Sequence, residues 1–275
     1  MNTETPPMPV ALSIAGSDSG GGAGIQADLK TFQAFGVFGT TAVTAITVQN
    51  TQGVTGVHAI PLETVRAQIA AVAEDLYPAA CKTGMLATRS LVQTVAVAIR
   101  EHGLRNFVLD PVMVATSGDR LLDEDAVEAI LTELLPLATL VTPNLDEAAI
   151  LADFDVRGVD DMHRAAAVLV AAGARAALVK GGHLQGTELV DVLHTESAQR
   201  EFTRPRLDTR STHGTGCTLS AAVAAGLARG EDLENAVADA LDYVHRAIAG
   251  APGLGRGSGP LNHAVPAPRL PRTSA

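Results

Sequence analysis

Short apolar runs alternate with amphipathic helical segments along most of the chain. Six runs rich in Val, Ile, Ala and Thr have the length of buried strands, namely residues 10–15, 40–48, 79–83, 106–110, 139–142 and 176–180. Helical periodicity lies between them, as in the segment 62–76, whose apolar face carries Leu62, Val65, Ile69, Val72 and Leu76. The alternation predicts repeated strand–helix units, and so an α/β fold with a mostly parallel sheet.

The pattern changes after Gly182. Two β-rich stretches, 188–194 and 200–204, are separated by T-E-S-A-Q and predict a small antiparallel hairpin. Helical patterns follow at 215–229 and 232–249. Because no Pro- or Ser-rich interior linker and no internal repeat interrupts the chain, we expect residues 1–275 to form one domain. The polar and Pro-rich ends, 1–8 and 264–275, are expected to be flexible.

Composition narrows the class of protein. Hydrophobic residues make up 47% of the 275 residues but aromatic residues only 3%, so small aliphatic side chains must build the core. The formal net charge of −10 argues against a nucleic-acid-binding protein, because neutralising phosphates requires a basic surface. An anionic small molecule would instead need a local positive site.

The sequence also bears on compartment and redox state. No apolar run approaches the ~20 residues that span a bilayer, and the N-terminal residues lack the charged and apolar regions of a signal peptide. Cys81 and Cys217 are far apart and neither belongs to a C-x-x-C pair, so we expect no structural disulfide. These features predict a cytoplasmic protein without membrane partners.

Two glycine-rich loops stand directly before predicted helices. Loop 15–24 reads A-G-S-D-S-G-G-G-A-G and precedes a helix that begins near Ile25; loop 213–217 reads H-G-T-G-C. Backbone N–H groups and the helix dipole at such junctions can hold an anion. Neither loop matches the P-loop or the dinucleotide fingerprint, and glycines at these junctions also occur for packing reasons alone.

Cys217 occupies the junction between loop 213–217 and the next helix. The partial positive charge of a helix N-terminus is expected to lower the thiol pKa from about 8.5, which would make Cys217 a proton acceptor or a nucleophile. The alternative is a small buried residue at a helix start.

Polar residues cluster at the carboxyl ends of the predicted strands, where open α/β sheets bind their ligands. They are Gln49, Asn50, Lys82, Asp110, Asn144, Glu147 and Lys180. Each could instead cap a helix or face solvent, and Asn144 in particular has the pattern of an N-cap. A cation at Lys180, carboxylates at Asp110 and Glu147 and a base at Cys217 favour phosphoryl transfer. No serine-hydrolase elbow, H-E-x-x-H motif or clustered Cys/His set is present.

Taken together, the motifs resemble those of the hydroxymethylpyrimidine/phosphomethylpyrimidine kinases, which belong to the ribokinase-like superfamily. The ordered set runs from about Ala11 to His263 and comprises A-G-S-D-S-G-G-G-A-G-I-Q-A-D-L-K-T, Q-N-T, K-T-G-M-L, D-P-V-M-V-A-T-S-G-D, T-P-N-L-D-E-A, K-G-G-H, H-G-T-G-C-T-L-S-A-A and G-R-G-S-G-P-L-N-H. The resemblance implies a three-layer αβα sandwich, ATP as donor, Mg²⁺ and a homodimer. It also implies phosphorylation of 4-amino-5-hydroxymethyl-2-methylpyrimidine and then of its monophosphate.

The same resemblance assigns roles to individual residues. Gly214, Thr215, Gly216 and Cys217 match the anion hole with its catalytic residue, and Asp stands at the Cys217 position in many superfamily relatives. Lys180, Asn144 and Gly216 match positions near the ATP phosphates, and Asp110 and Glu147 match positions near Mg²⁺. Gln49 is expected to read the aminopyrimidine, because an amide both donates and accepts hydrogen bonds. The pyrimidine pocket is expected to include Gly16, Ala23, Asp28 and Met85, with Asp28 as its polar contact.

Two other functions remain open at this point. Some bacterial pyridoxal kinases resemble this family and share the H-G-T-G-C type of loop, although Q-N-T at 49–51 favours the pyrimidine. A non-catalytic pyrimidine- or nucleotide-binding regulator could have the same fold. The presence of Asp110, Glu147, Lys180 and Cys217 together argues against that regulator.

Overall fold

The central element is a nine-stranded sheet, found in a computed structural model that describes residues 8–113, 123–182 and 186–268. The strand order is β3-β2-β1-β4-β5-β6-β7-β8-β9. The inner strands pair in parallel, whereas β3 and the pair β8 and β9 are antiparallel. The strands are β1 (Val10–Asp18), β2 (Phe38–Asn50), β3 (Gly53–Ala59), β4 (Ala80–Thr83), β5 (Phe107–Leu109), β6 (Leu140–Val141), β7 (Ala176–Val179), β8 (Glu188–Thr195) and β9 (Gln199–Pro205).

Helices cover both faces of this sheet. They are α1 (Gly24–Ala34), α2 (Leu62–Asp75), α3 (Arg89–Glu101), α4 (Glu124–Ala129), α5 (Leu145–Ala152), α6 (Val159–Ala171), α7 (Thr215–Ala228) and α8 (Leu233–Ala249). A π-helical turn, Ile130–Leu134, and a 3₁₀ turn, Leu135–Leu137, follow α4. One apolar cluster packs the helices from α2 through α6 against one face of the sheet. A second cluster packs α1, α7 and α8 against the other face. The predicted three-layer αβα sandwich is confirmed.

Small side chains allow close packing on the α7 side of the sheet. Ten consecutive residues of α7, Thr218–Leu227, are buried, and five of them are alanine or glycine. The helix is apolar all round because it lies between the sheet and its neighbouring helices. The low aromatic content of the sequence therefore corresponds to a core built largely from small aliphatic side chains on this side of the sheet.

The sequence pattern placed most elements correctly, and two details need correction. β3 was not predicted; it pairs with β2 at the edge of the sheet. In α2, Val65 and Ile69 are fully buried, but Leu62 and Leu76 are more than one-third exposed, so the buried stripe is shorter than predicted. In the described ranges no helix has the length and apolarity needed to cross a membrane.

Parts of the predicted ends and motifs lie outside the described residues. These parts are residues 1–7 and 269–275, positions 114–119 of D-P-V-M-V-A-T-S-G-D and His183 of K-G-G-H. Residues 264–268 of the C-terminal end expected to be flexible are described, and Val265 and Ala267 pack against the apolar cluster on the α7 side.

Candidate active site

A cavity of about 450 Å³ opens at the carboxyl ends of the parallel strands, beside the N-terminus of α7. The size suits a small-molecule ligand. Asn50 and Lys82 of the strand-end set do not line the cavity, and of the residues with an assigned role only Asp28 does not. The residues that line it are Gly16, Ala23, Gln49, Met85, Asp110, Asn144, Glu147, Lys180, Gly214, Thr215, Gly216 and Cys217. Residues more than 160 positions apart therefore converge because parallel strands end at the same edge of the sheet.

Asp28 lies behind the cavity wall and requires a correction. Its carboxylate is fully buried, accepts a hydrogen bond from Ser13 Oγ at 2.5 Å and lies 3.1 Å from Lys82 Nζ. Because Ser13 and Lys82 occupy both of its oxygens, the predicted contact of Asp28 with the substrate ring is replaced by a buried ion pair. Lys82, which had no predicted role, is the partner that compensates this buried charge.

The backbone at the start of α7 is shaped by two glycines. Gly214, the N-cap, has φ +83°, and a Cβ added there would lie 1.9 Å from the Gly22 carbonyl oxygen, so only glycine fits. A Cβ at Gly216 would lie 3.3 Å from Lys180 Nζ. With no side-chain cap on α7, its first N–H groups and the Lys180 ammonium point to one place where an anion can bind.

Cys217 is a free cysteine, partly exposed, in the first turn of α7. Burial raises the pKa of its thiol to about 11; Lys82 and a backbone hydrogen bond from Gly24 oppose the shift, and Asp28 and Asp110 add to it. The predicted lowering of this pKa was therefore wrong. Burial and two nearby carboxylates, Asp28 and Asp110, disfavour the thiolate.

Lys180 provides the positive charge of the cavity. Its Nζ lies 3.4 Å from Asp110 Oδ1 and 3.9 Å from Glu147 Oε2. Burial disfavours the charged form, but the two carboxylates outweigh burial and raise the pKa of the ammonium. Lys180 therefore stays charged at neutral pH, in a position to contact a phosphate.

Asn144 and Glu147 form a capping box at the start of α5. The Asn144 side chain accepts from the Glu147 N–H at 2.9 Å, and the Glu147 carboxylate accepts from the Asn144 N–H at 2.8 Å. The N-cap reading of Asn144 is thus confirmed, and both side chains still line the cavity. Burial, with the nearby Asp110, raises the pKa of Glu147 to about 7 against the opposing charge of Lys180.

The carboxylates of the cavity can hold Mg²⁺ only when a bound nucleotide supplies further oxygen atoms. Among the described residues, no group of three His, Cys, Asp or Glu side chains could hold a metal ion by itself. Asp110 and Glu147 are two nearly buried carboxylates on the same cavity wall. One or two carboxylates completed by substrate phosphates is the usual arrangement for Mg²⁺ in phosphoryl transfer. The residues therefore fit the ion when a nucleotide supplies the other oxygens.

An apolar wall of the cavity was missed in the sequence. Leu241, Val244 and Ile248 of α8 line it together with Leu189 of β8. The spacing of 241, 244 and 248 puts the three side chains on one helical face, a signal that the sequence contained. Such a wall can accommodate a flat aromatic group next to the cation and the helix N-terminus.

A second missed feature links the two glycine-rich loops. The Asp18 carboxylate accepts hydrogen bonds from the backbone N–H groups of Gly20, Gly22 and Ala23, and lies 2.9 Å from His213 Nε2. Both side chains are buried, and Gln49 lies beside them. An Asp followed by glycines is a turn signal that could have pointed to Asp18, whereas nothing in the sequence singled out His213 as its partner.

Comparison with known proteins identifies the relatives of this chain. A family model described as "Phosphomethylpyrimidine kinase" matches residues 18–262. A protein of Rhizobium meliloti named hydroxymethylpyrimidine/phosphomethylpyrimidine kinase is 53% identical over 257 residues, which cover 92% of this chain and 96% of that protein. The "Thiamine biosynthesis bifunctional protein ThiED" of Geobacter sulfurreducens is 45% identical over 95% of this chain and 53% of its own length.

A similar solved structure is that of a Bacillus subtilis pyridoxal kinase in complex with ADP. It superposes with a TM-score of 0.88 and 42% sequence identity, covering 94% of this chain and 98% of that one. The agreement extends over nearly the whole length of both chains. The fold of this chain is thus shared with that pyridoxal kinase.

Proposed function

The chain belongs to the phosphomethylpyrimidine kinase family, and from this we propose that it phosphorylates 4-amino-5-hydroxymethyl-2-methylpyrimidine and then its monophosphate, using ATP. It is a kinase of thiamine biosynthesis. One observation carries the assignment of the site: Gln49, the start of α7 and Lys180 line the same cavity. An amide that reads the ring and an anion site that handles phosphate are what the two successive transfers require.

We assign the ring of the acceptor to the Gln49 end of the cavity. A side-chain amide can donate to a ring nitrogen and accept from the adjacent exocyclic amine. Met85 and Ala23 supply apolar contacts, and a Cβ at Gly16 would lie 2.9 Å from Met85 Cε, so glycine there leaves room for Met85. The ring is thereby held with its hydroxymethyl group toward α7.

The phosphate-handling groups are assigned to the start of α7 and to Lys180. Backbone N–H groups of residues 214–217 stabilise the negative charge of the transferring phosphoryl group, and Lys180 adds a full positive charge next to Gly216. Cys217 accepts the hydroxyl proton in the first transfer only, because the acceptor of the second is an already ionised phosphate. With a resting pKa of about 11, the thiol must ionise before it can accept that proton.

ATP and Mg²⁺ are assigned to the other half of the cavity. The wall formed by Leu189, Leu241 and Val244 suits the adenine base, and the Bacillus subtilis pyridoxal kinase was solved with ADP. Asp110 and Glu147 would hold Mg²⁺ together with the phosphates. The ion would neutralise phosphate charge during transfer. The orientation of these two carboxylates is set by Lys180, Ser220 and the capping box of α5.

The acceptor is tested with a panel of three compounds. We expect the purified protein, with ATP and Mg²⁺, to release ADP in the presence of the hydroxymethylpyrimidine and its monophosphate, and far more slowly with pyridoxal. Gln49→Leu should lower kcat/KM for the pyrimidine about 100-fold, because the ring's polar atoms lose their partners. Gln52→Leu, outside the cavity, is the matched control. Turnover of pyridoxal alone would assign the pyridoxal kinase function instead, which the similarity to the Bacillus subtilis structure makes the second candidate.

We also propose a homodimer formed through the β2–β3 edge. Ile46, Val48 and Val57 are 49%, 61% and 52% exposed on these two strands, an unusual density of exposed apolar side chains. Light scattering should give twice the chain mass of 28.2 kDa, and Ile46→Glu with Val48→Glu should give the single mass. Ile150→Glu with Val168→Glu, two equally apolar exposed positions on α5 and α6, should leave the dimer intact. A wild-type monomer would contradict the proposal.

A cytoplasmic location completes the proposal. Both cysteines are free, as expected in a reducing compartment. A biosynthetic kinase also depends on the ATP pool of the cell interior. Fractionation of cells expressing the tagged protein tests this location directly.

A further inference from the structure

His213 and Asp18 form a buried polar contact at the edge of the cavity, next to Gln49. The distance from His213 Nε2 to Asp18 Oδ2 is 2.9 Å, and the distance from the same nitrogen to Gln49 Nε2 is 3.4 Å. Asp18 and His213 are only 2% and 7% exposed. The catalytic roles described above make no use of either residue.

The surroundings of Asp18 determine which atom carries the proton in this contact. Burial would raise the pKa of Asp18, but hydrogen bonds from His213 and from the N–H groups of Ala23 and Gly20 outweigh it and lower that pKa. An ionised carboxylate has no hydrogen to donate. His213 Nε2 must therefore carry a hydrogen and donate it to Asp18, whether the ring is neutral or charged.

This protonated nitrogen constrains the amide of Gln49. An NH₂ group at 3.4 Å from an N–H nitrogen places two donors against each other, which is unfavourable at this half-buried contact. Turning the amide by 180° exchanges its nitrogen and oxygen. It then places Oε1, an acceptor, beside His213 Nε2, where it can share the hydrogen that this nitrogen donates to Asp18 at the shorter distance.

Thr47 gives independent support for the turned amide. Its hydroxyl has one hydrogen, which is directed to the Ser17 carbonyl oxygen at 2.9 Å. The same hydroxyl lies 3.2 Å from the other end of the Gln49 amide and can only accept a hydrogen bond there. An amide nitrogen at that end donates to Thr47, so one orientation satisfies both neighbours of Gln49.

We propose that His213, held by Asp18, is a positioning residue that fixes the Gln49 amide with its oxygen toward His213 and its nitrogen toward Thr47. The inference rests on the proposed function, because it concerns how Gln49 selects the ring. In this orientation the cavity accepts a ring that presents a donor on the His213 side and an acceptor on the Thr47 side. An amino group next to an unprotonated ring nitrogen has this order of donor and acceptor, whereas a carbonyl next to a ring N–H has the reverse.

The test compares two acceptors in three proteins. The acceptors are the 4-amino substrate and 5-hydroxymethyl-2-methylpyrimidin-4-one, in which the donor and acceptor are interchanged. We expect the wild type to favour the amino compound by at least about 100-fold in kcat/KM. His213→Leu, which frees the amide to turn, should reduce this ratio at least about tenfold. His213→Gln, whose amide N–H can take the place of Nε2–H, should keep the ratio within about threefold.

If His213→Leu lowered kcat/KM equally for both acceptors, the role of His213 would be merely structural and the inference would be overturned. It would also be overturned if His213→Gln lost the preference for the amino compound to the same extent as His213→Leu. In either case the wild type would still phosphorylate the amino compound, so the proposed function would stand. A wild type that phosphorylates neither pyrimidine would overturn the proposed function and this inference with it. Nitrogen-15 NMR of the histidine rings in the wild type needs no variant: we expect a proton on His213 Nε2, and its absence would overturn the inference.

Discussion

Replacing Cys217 with alanine is expected to lower kcat for the hydroxymethyl acceptor about 10³-fold while changing kcat for the monophosphate acceptor by less than about fivefold. The first acceptor must lose a proton as its oxygen attacks, whereas the second is ionised before it binds. Each transfer is measured separately, from the appearance of ADP with one acceptor at a time. Equal losses in the two transfers would contradict the role of Cys217 as the base.

The high thiol pKa gives this prediction a second readout. Below a pKa of about 11, the thiolate fraction of Cys217 rises with pH, so the first transfer should accelerate toward alkaline pH more steeply than the second. Cys217→Asp, whose side chain ionises at far lower pH, should restore much of the first transfer at neutral pH and flatten this rise. Cys217→Ser preserves size but is harder to ionise, and should behave like the alanine variant. A first transfer independent of pH in the wild type would count against the account.

Replacing Lys180 with methionine is expected to lower kcat for both transfers about 10³-fold, and to the same extent. The ammonium lies next to Gly216 and the start of α7, where phosphate charge must be stabilised whichever acceptor is bound. Methionine preserves much of the length of the side chain but not its charge. Measured alongside the Cys217 variants, it separates a group needed for every transfer from one needed for proton removal.

The control for Lys180→Met is Arg66→Met. Arg66 forms an exposed ion pair with Glu101 at 2.9 Å, outside the cavity, and its loss removes the same formal charge. We expect the activity of this variant to stay within about twofold of the wild type, because exposed ion pairs contribute little. If Lys180→Met impaired only one transfer, or no more than Arg66→Met does, the position assigned to the phosphates would be wrong.

Hydrophobic patterning sufficed for the parallel core of the fold but not for its edge. The buried strand β7 is a continuous apolar run, and the first six residues of β1 are apolar except for Ser13, so the sequence pattern detects both strands easily. The edge strand β3 contains two glycines and exposes most of its residues, so its own sequence has weak strand preference. Its strand geometry depends on pairing with β2, which no local pattern reveals.

At the candidate site, sequence reasoning located the residues better than it described their surroundings. The rule that ligands bind at the carboxyl ends of parallel strands brought Gln49, Asp110 and Lys180 to one cavity. The pairing of Asp28 with Lys82 joins α1 to β4, and only the folded chain brings the two together. Likewise, the burial that raises the Cys217 pKa comes from tertiary packing rather than from the helix start that the sequence displays.

The two-step reaction in one cavity is tested most directly by following a single sample of protein, the hydroxymethylpyrimidine, ATP and Mg²⁺ by phosphorus-31 NMR. We predict that a phosphate monoester signal of the pyrimidine appears first and is then replaced by the paired signals of its diphosphate. Gln49→Leu should slow the appearance of both products. Monoester that accumulates without any diphosphate would contradict the second transfer, and the absence of any new pyrimidine phosphate would contradict the account as a whole.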